Sequence, residues 1–402
     1  MKRALAAAVL LLLCGCDIEP PGPPKKPFIL PPAPDDAERS SLVNLARGAT
    51  VVSRTGEALL EMSAIAAIDG DGATYWATLP KDFPQSLVIA LAAPSRIDKV
   101  GARTPEKPYL IAKEIVFETS MDGRVFQPLA TLRVKPASAP QWMDVRPTDA
   151  AFLRVTLPEP GVEGGQAVVS SILARGRELA PARPGRITGT WRVNGRAAEF
   201  WETGGTMQYA RSTLVLDGGS DGRVYRFEWI RGPEYGYAIF AVSPDGNHLN
   251  GIQWHEEIIP LFFGDAWFGE RAEMLLPRGE RPDVGREFLK RAGRHSLYGL
   301  RFASDGTLDA AGSAEALKWL AGAIKEHPNA RLVAHEFREA TPAADRARAQ
   351  RALDSLAKAL HNAGVTLNGV TLVAAGSDNA RQIPGSEAAR ELYSTIDLEV
   401  GR

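Results

Sequence analysis

The densest run of reactive side chains is WHEEIIPLFFGDAWFGER, Trp254 to Arg271, which holds His255, Glu256, Glu257 and Asp265. An imidazole beside carboxylates is the raw material of a metal site or an acid–base pair. The spacing suits neither. A zinc-binding helix needs a second histidine four residues after the first, and Ile259 stands there, with Pro260 next. Two adjacent glutamates on a strand point to opposite faces and cannot act together. The six histidines of the chain are dispersed, with none at ligand spacing. The stretch therefore reads as apolar packing material.

The other conspicuous chemistry is at the start. Both cysteines, Cys14 and Cys16, lie within the first 16 residues. Lys2 and Arg3 precede an unbroken apolar run, Ala4 to Leu13. That length fits the apolar part of a secretory signal and is too short to span a bilayer. The residues Leu13-Cys14-Gly15-Cys16 resemble a bacterial lipobox, in which the peptidase cuts before a cysteine that follows a small residue. Gly15 meets that need, whereas bulky Leu13 disqualifies Cys14. The resemblance implies removal of residues 1–15 and acylation of Cys16, which makes membrane lipid the first expected partner. Multiple acyl chains anchor stably, at about 0.8 kcal/mol per buried methylene. With Cys16 acylated, no free thiol would remain to oxidise, so the mature chain must fold without disulfides.

The chain has 402 residues, enough for two or three domains, with 45% hydrophobic and 24% charged residues. Its net charge of −1 provides no basic field for nucleic acid. No later region has the apolar length of a spanning helix. Residues 16–41 form a proline-rich linker, extended and semi-rigid.

Residues 42–178 read as all-β, with short apolar or alternating runs between turn residues. Asp122-Gly123 marks a hairpin between β-rich flanks. The pieces NLARGATV, AIDGDGATYWAT, QSLVIALAAPSRIDKVGAR, FETSMDGRVFQPL and FLRVTL resemble, in order and spacing, the discoidin family (coagulation factor 5/8 type C), a galactose-binding-like jelly-roll sandwich. The resemblance implies a sugar or other ligand gripped by loops at one end, for which Arg103, Tyr109 and Trp142 are candidates. It also implies a structural calcium held by Asp69, Asp71 and Thr74, the one cofactor to expect. Ser171 stands where the family adds a glutamate, and the alternative is that the aspartates and glycines only make a tight turn. Trp76 is read as core.

Residues 185–276 alternate aromatic and polar residues between Gly and Asp-Gly turns, which predicts a small antiparallel β domain, barrel or sandwich. Residues 288–402 change character, giving a β-α-β-α-β-β order with strands at LYGLRFA, ARLVAHEF, GVTLVAAG and STIDLEV. A helix capped by Ser313 buries Leu317, Leu320, Ala321 and Ile324, and a second helix ends at Gly364. This stretch resembles the OmpA-like peptidoglycan-associated domain through YGLRFASDGTLDAAGSAEALKWLAGAIKEHPNARLVAHEF, RALDSLAKALHNAGV, VTLVAAG and IDLEV. That family grips the diaminopimelate of cell-wall peptide with a Gly-His-Thr-Asp tetrad and a helical arginine. Here the tetrad is Ala334-His335-Glu336-Phe337, and the arginine position falls on Ala352 or, one residue away, Arg351. The closing Asn-Arg-Arg is Thr395-Ile396-Asp397. A substitute clamp of Glu336, Arg338 and Arg351 is one expectation; a fold that has lost or changed its ligand is the other.

The chain is thus expected to be multidomain: a jelly-roll sandwich, a small antiparallel β domain, and an α/β OmpA-like domain. Its expected role is a non-catalytic lipoprotein scaffold or binding protein of the Gram-negative envelope, touching glycan, peptidoglycan or a protein partner. The periplasmic face of the outer membrane is the expected address, although Asp17 after the lipid site resembles an inner-membrane retention signal. Two other classes stay open: an envelope hydrolase with its site in the middle domain, and a surface adhesin for external sugars.

Overall fold

A computed structural model of the chain describes residues 36–59, 62–80, 82–203, 206–211, 214–220, 222–255, 265–273, 282–338, 341–377 and 387–401. A short helix α1 (Asp36–Ser40) leads into the first unit. Its strands are β1 (Thr50–Arg54), β2 (Trp76–Ala77), β3 (Gln85–Arg103), β4 (Glu114–Ser120), β5 (Gln127–Arg133), β6 (Gln141–Leu157), β7 (Val168–Val169) and β8 (Ser171–Glu178). The main sheet runs β1-β3-β6-β4-β5, with β8 also on β3, and β2 pairs with β7 in a second small sheet. This is the expected sandwich. Its alternate positions Leu87, Ile89, Ile115, Phe117, Leu153 and Val155 are buried, as period-2 strands require. Trp76 is fully buried, its indole N–H donating to the Gly56 carbonyl at 3.0 Å. The β4–β5 hairpin turns at Asp122-Gly123 as expected. The backbone N–H groups of Val125 and Arg124 and the Ser120 hydroxyl pull the Asp122 carboxyl down to about 2.

Eight strands follow: β9 (Gly189–Val193), β10 (Arg196–Thr203), β11 (Thr206–Arg211), β12 (Leu214–Ser220), β13 (Tyr225–Arg231), β14 (Glu234–Val242), β15 (His248–His255) and β16 (Asp265–Arg271). Each pairs antiparallel with the next, and β16 pairs back onto β9 to close a barrel. Of the two shapes left open for this block, the barrel is the one formed. Its inward positions, among them Trp191, Phe200, Phe227, Trp229, Phe240 and Trp267, make one buried cluster. The interior is a packed core, as expected for eight strands.

On β13 the outward residues Arg226, Glu228 and Ile230 are buried too, because the last unit covers them. That unit comprises α2 (Val284–Ala292), β17 (Arg294–Ser296), α3 (Ala314–Glu326), β18 (Arg331–His335), α4 (Pro342–Asn362), β19 (Thr371–Gly376), α5 (Glu387–Tyr393) and β20 (Ile396–Glu399). Its sheet order is β17-β20-β18-β19. The first strand lies at Arg294–Ser296, ahead of LYGLRFA, which continues as a turn-rich segment. Ser313 does not cap α3. Its hydroxyl accepts from Arg301 N at 2.9 Å instead, and the stripe that α3 buries is Ala316, Leu320, Ala323 and Ile324.

One apolar cluster runs through the sandwich core, the barrel's outer face (Tyr237, Ile239, Ile252, Phe268) and α2 and α5 (Phe288, Leu392). Polar contacts fix the same joints. Asn250 of β15 bonds both the N–H and the carbonyl of Val51 on β1, acting as a one-residue neighbour to an edge strand. Arg223 forks onto Glu178 at 2.8 and 2.9 Å. Glu228, wholly buried, accepts from Ser296 N at 2.7 Å and meets the His295 ring. Gly219 permits this approach, since a Cβ there would stand 2.4 Å from the Tyr298 carbonyl.

Candidate functional site

The turn between Ala66 and Trp76 collects oxygen. The Thr74 hydroxyl lies 2.8 Å from Asp69 Oδ2, 2.9 Å from the Asp71 carbonyl and 3.2 Å from the Ala66 carbonyl. One hydroxyl proton cannot satisfy three acceptors. Asp69 is 5% exposed. Burial pushes its carboxyl well above the usual range, and the Asp71 and Glu38 carboxylates push the same way. Burial also raises Asp71, whose side chain accepts from Ala73 N at 2.8 Å. Among the described residues the Ser171 hydroxyl is buried with no hydrogen-bond partner. Crowded oxygens around an uncompensated buried carboxylate suit a hard cation, so the donor set fits calcium in kind. Ala66, Asp69, Asp71 and Thr74 would hold it, and its charge would offset that of Asp69. The set is poor in charge: among the described residues no three His, Cys, Asp or Glu side chains converge.

The turn is also a joint. Ala388 N and Glu387 N, at the start of α5, donate to the Asp69 and Gly70 carbonyls at 3.2 and 3.3 Å. Gly70 has φ +77°, and a Cβ there would meet Asn44 and Glu387 at 2.6 and 2.7 Å.

The three expected sugar-loop residues differ in how they are held. Arg103 packs over Gly72, donates to Glu38 at 2.8 Å and to the Ser138 carbonyl at 2.6 Å, and so works as a clamp on α1. Trp142, on β6 beside Gly101, lies under the Arg175 guanidinium at 4.8 Å. Tyr109 alone is openly presented, 52% exposed on a 3-10 turn, Pro108–Leu110. That turn is pinned where Gly161 N donates to the Ile111 carbonyl at 2.7 Å.

In the last unit the expected clamp is changed in one member. Glu336, 4% exposed, accepts from Arg338 Nε and Nη2 at 2.7 and 2.8 Å and from Arg348 Nε at 3.0 Å. Burial alone would raise this carboxyl, but the Arg338 fork and the Arg348 charge hold it below the usual range. Arg351 is not a member: its Nε donates to the Asp305 carbonyl at 2.9 Å. Arg348 sits three residues, about one turn, earlier on α4, and that helix phase was the signal available in the sequence. A cavity of about 50 Å³ lies here, lined by Glu336, Arg338, Arg348 and Ala352, with Arg226 of β13. Nothing in the sequence of the last unit could have indicated Arg226.

In the middle domain, the His255 ring meets Trp229 edge-on at 4.8 Å, and Asp265 faces Gln253 rather than His255 across the β15–β16 pair. Glu256, Glu257, Pro260, Cys14, Cys16, Asp17 and residues 16–35 of the proline-rich linker lie outside the described residues.

Comparison with known proteins bears on the sandwich. Residues 49–172 match the family model of the F5/8 type C domain, so the chain carries such a domain there. No curated protein matches the chain. Similar solved structures include the module CBM32-3 of a family 31 glycoside hydrolase from Clostridium perfringens, at 17% identity over 35% of this chain and 97% of that one, TM-score 0.31. The module CpGH89CBM32-5 from Clostridium perfringens, in complex with GalNAc-beta-1,3-galactose, is similar at 21% identity over 34% and 99%, TM-score 0.29. The family 32 module of NanJ from C. perfringens, in complex with galactose, is similar at 20% identity over 34% and 97%, TM-score 0.28.

Proposed function

We propose that the chain is a non-catalytic glycan-binding protein of the bacterial envelope, held to a membrane by acyl chains on Cys16. The observation that carries the binding half is the F5/8 type C match over residues 49–172, on a sandwich that presents Tyr109 openly. An exposed ring on a pinned turn offers a face on which a sugar can stack. The barrel and the last unit, which we read as OmpA-like, brace that sandwich through shared apolar contacts. The lipobox-like Leu13-Cys14-Gly15-Cys16 supports the anchor, and the proline-rich stretch supports a spacer of extended chain. In this reading the protein is a scaffold that holds envelope glycan, or a protein partner that bears it, near the bilayer.

Binding of the full chain to a glycan panel that includes galactose tests the first half. Tyr109→Ala should cut affinity about tenfold, roughly 1.4 kcal/mol, with no change in unfolding midpoint. Trp142→Ala should lower stability more than affinity. A panel without a single binding glycan would sink the proposal. For the anchor, Cys16→Ser should move the protein from the membrane pellet to the supernatant.

A further inference from the structure

A cleft of about 200 Å³ lies on the seam between the sandwich and the barrel, with β1 as one wall and β9, β15 and β16 as the other. It shares no residue with the Asp69 turn or the Glu336 cavity. Its walls are fixed by side chains already spent on structure. Asn250 of β15 holds Val51 of β1 through both backbone groups. Arg54 lies over the Phe268 ring at 3.5 Å and pairs with Glu57 at 3.1 Å. Asn194, at φ +46°, donates to the Ala266 carbonyl at 2.8 Å and accepts from Phe268 N at 3.0 Å. Next to the Asn250 clamp β1 is irregular: Val51 faces Ile89 and Ser53 faces Val88, so Val52 is the extra residue, and it lines the cleft. Bulges re-aim strands beside sites, and small ligands favour clefts where two units meet.

Three further lining residues are not spent. His248 faces Glu270 across β15–β16, and Glu270 faces Arg192 across β16–β9. All three point outward, since their neighbours Leu249 and Val193 belong to the barrel core. With strands about 4.8 Å apart, the row spans roughly 10 Å along one rim. Among the described residues none of the three side chains makes a hydrogen bond or an ion pair. A guanidinium only donates, a carboxylate only accepts, and an imidazole does either.

We propose that this cleft seats one neutral hexose unit of a glycan, with Arg192 and Glu270 dividing its hydroxyls between them and His248 beside them. A hydroxyl both donates and accepts, so a polyol uses the guanidinium and the carboxylate together. An anion would set its charge against Glu270, and a cation against Arg192. At about 15 Å³ for each water-sized position, the cleft takes roughly a dozen atoms, about the non-hydrogen count of one hexose. The seat shares the ligand class of the glycan reading but not its site. The Tyr109 turn precedes β4, which β3 and β6 separate from β1 in the sheet.

The test is a ligand-observed NMR titration of the full chain with galactose, glucose and N-acetylglucosamine, with galacturonate and inorganic phosphate as parallel arms. The expected result is saturable hexose binding that survives Tyr109→Ala. Arg192→Ala should weaken it about tenfold, the loss of a hydrogen bond from a charged donor, with the unfolding midpoint unchanged. Glu270→Gln should weaken the neutral sugar and strengthen galacturonate, a change of preference that misfolding would not produce. Hexose binding lost wholly in Tyr109→Ala, or indifferent to both Arg192→Ala and Glu270→Gln, would overturn the seam seat and leave the Tyr109 reading standing. Binding untouched by Tyr109→Ala but lost in Arg192→Ala would support the seam and count against the Tyr109 turn. Galacturonate or phosphate preferred by the parent would overturn the proposal. So would an absence of saturable binding of all three hexoses, and the wider glycan panel would still decide the Tyr109 turn.

Discussion

Asp69 and Glu336 are both nine-tenths buried or more, both are candidate ligand residues on the sequence, and their surroundings are opposite. Asp69 is held by the Asp71 N–H and the Thr74 hydroxyl, neutral donors, with acids nearby, and its carboxyl is pushed up. Glu336 sits between two guanidiniums and is held down. Burial acts on both in the same sense; the partner decides the sign. A buried acid with its own cations is a finished structural element. A buried acid without one is a place where a cation from outside can gain. The comparison puts the last unit's sequence-predicted clamp on the structural side and the sandwich turn on the ligand side. Both still serve as joints, since α5 begins on the Asp69–Gly70 carbonyls and the Glu336 cavity borrows Arg226 from the barrel.

Replacing the finished pair should do the most damage. Glu336→Gln leaves Arg338 and Arg348 without their shared counter-charge, and loss of one partner of a buried ion pair costs about 3–5 kcal/mol. Urea denaturation would read it. The pH dependence has a definite sign. Because the folded Glu336 carboxyl lies below its unfolded value, its contribution is full above the unfolded value of roughly 4.3 and fades as pH falls through the folded one. The glutamine variant should lack that acid-side loss, and an identical acid limb in both proteins would break the contrast.

Asp69 should respond in the other sense. In chelator, Asp69→Asn removes a charge that burial disfavours, so stability should stay within about 1 kcal/mol of the parent or rise. Calcium at a hundred times its dissociation constant would add about 2.7 kcal/mol to the parent and little to the variant. Equal calcium response in both proteins would mean that the turn is not the seat. A smaller effect is expected at Gly70, where Ala must accept a positive φ and press on Asn44 and Glu387, at about 1–3 kcal/mol. Hydrogen exchange in residues 387–393 should quicken first, because α5 begins on this turn.

Period-2 patterning and turn residues made the sandwich legible, down to the Asp122-Gly123 hairpin and Trp76 as core. Barrel closure was not, because β16 meets β9 across more than 70 residues of chain and no local pattern encodes that pairing. Helix α5 was hidden for a different reason. Its residues Arg390 and Glu391 are buried with Leu392, so burial there follows ion pairing across a joint and leaves no amphipathic stripe. Of the loop candidates, Tyr109 is exposed, whereas Arg103 and Trp142 are engaged by Glu38 and Arg175. Arg351 follows from matching the helical-arginine position along the chain, whereas the deciding quantity is which turn of α4 faces Glu336, and that turn carries Arg348.

That choice gives the smallest predicted effect and the finest test of the comparison. Arg351 reaches the Asp305 carbonyl from an exposed position, and Arg348 reaches buried Glu336. Arg348→Ala should cost about 1.5–3 kcal/mol, the range for a hydrogen bond to a charged group, whereas Arg351→Ala should stay within about 0.5 kcal/mol. Co-sedimentation of the full chain with purified cell-wall sacculi extends the test from stability to binding. If Glu336 already satisfies the arginines of this unit, neither substitution has a wall contact to remove, and both variants should pellet with sacculi as the parent does. Binding lost in Arg351→Ala alone, with the fold intact, would return the last unit to the ligand side and leave the two buried acids alike in purpose.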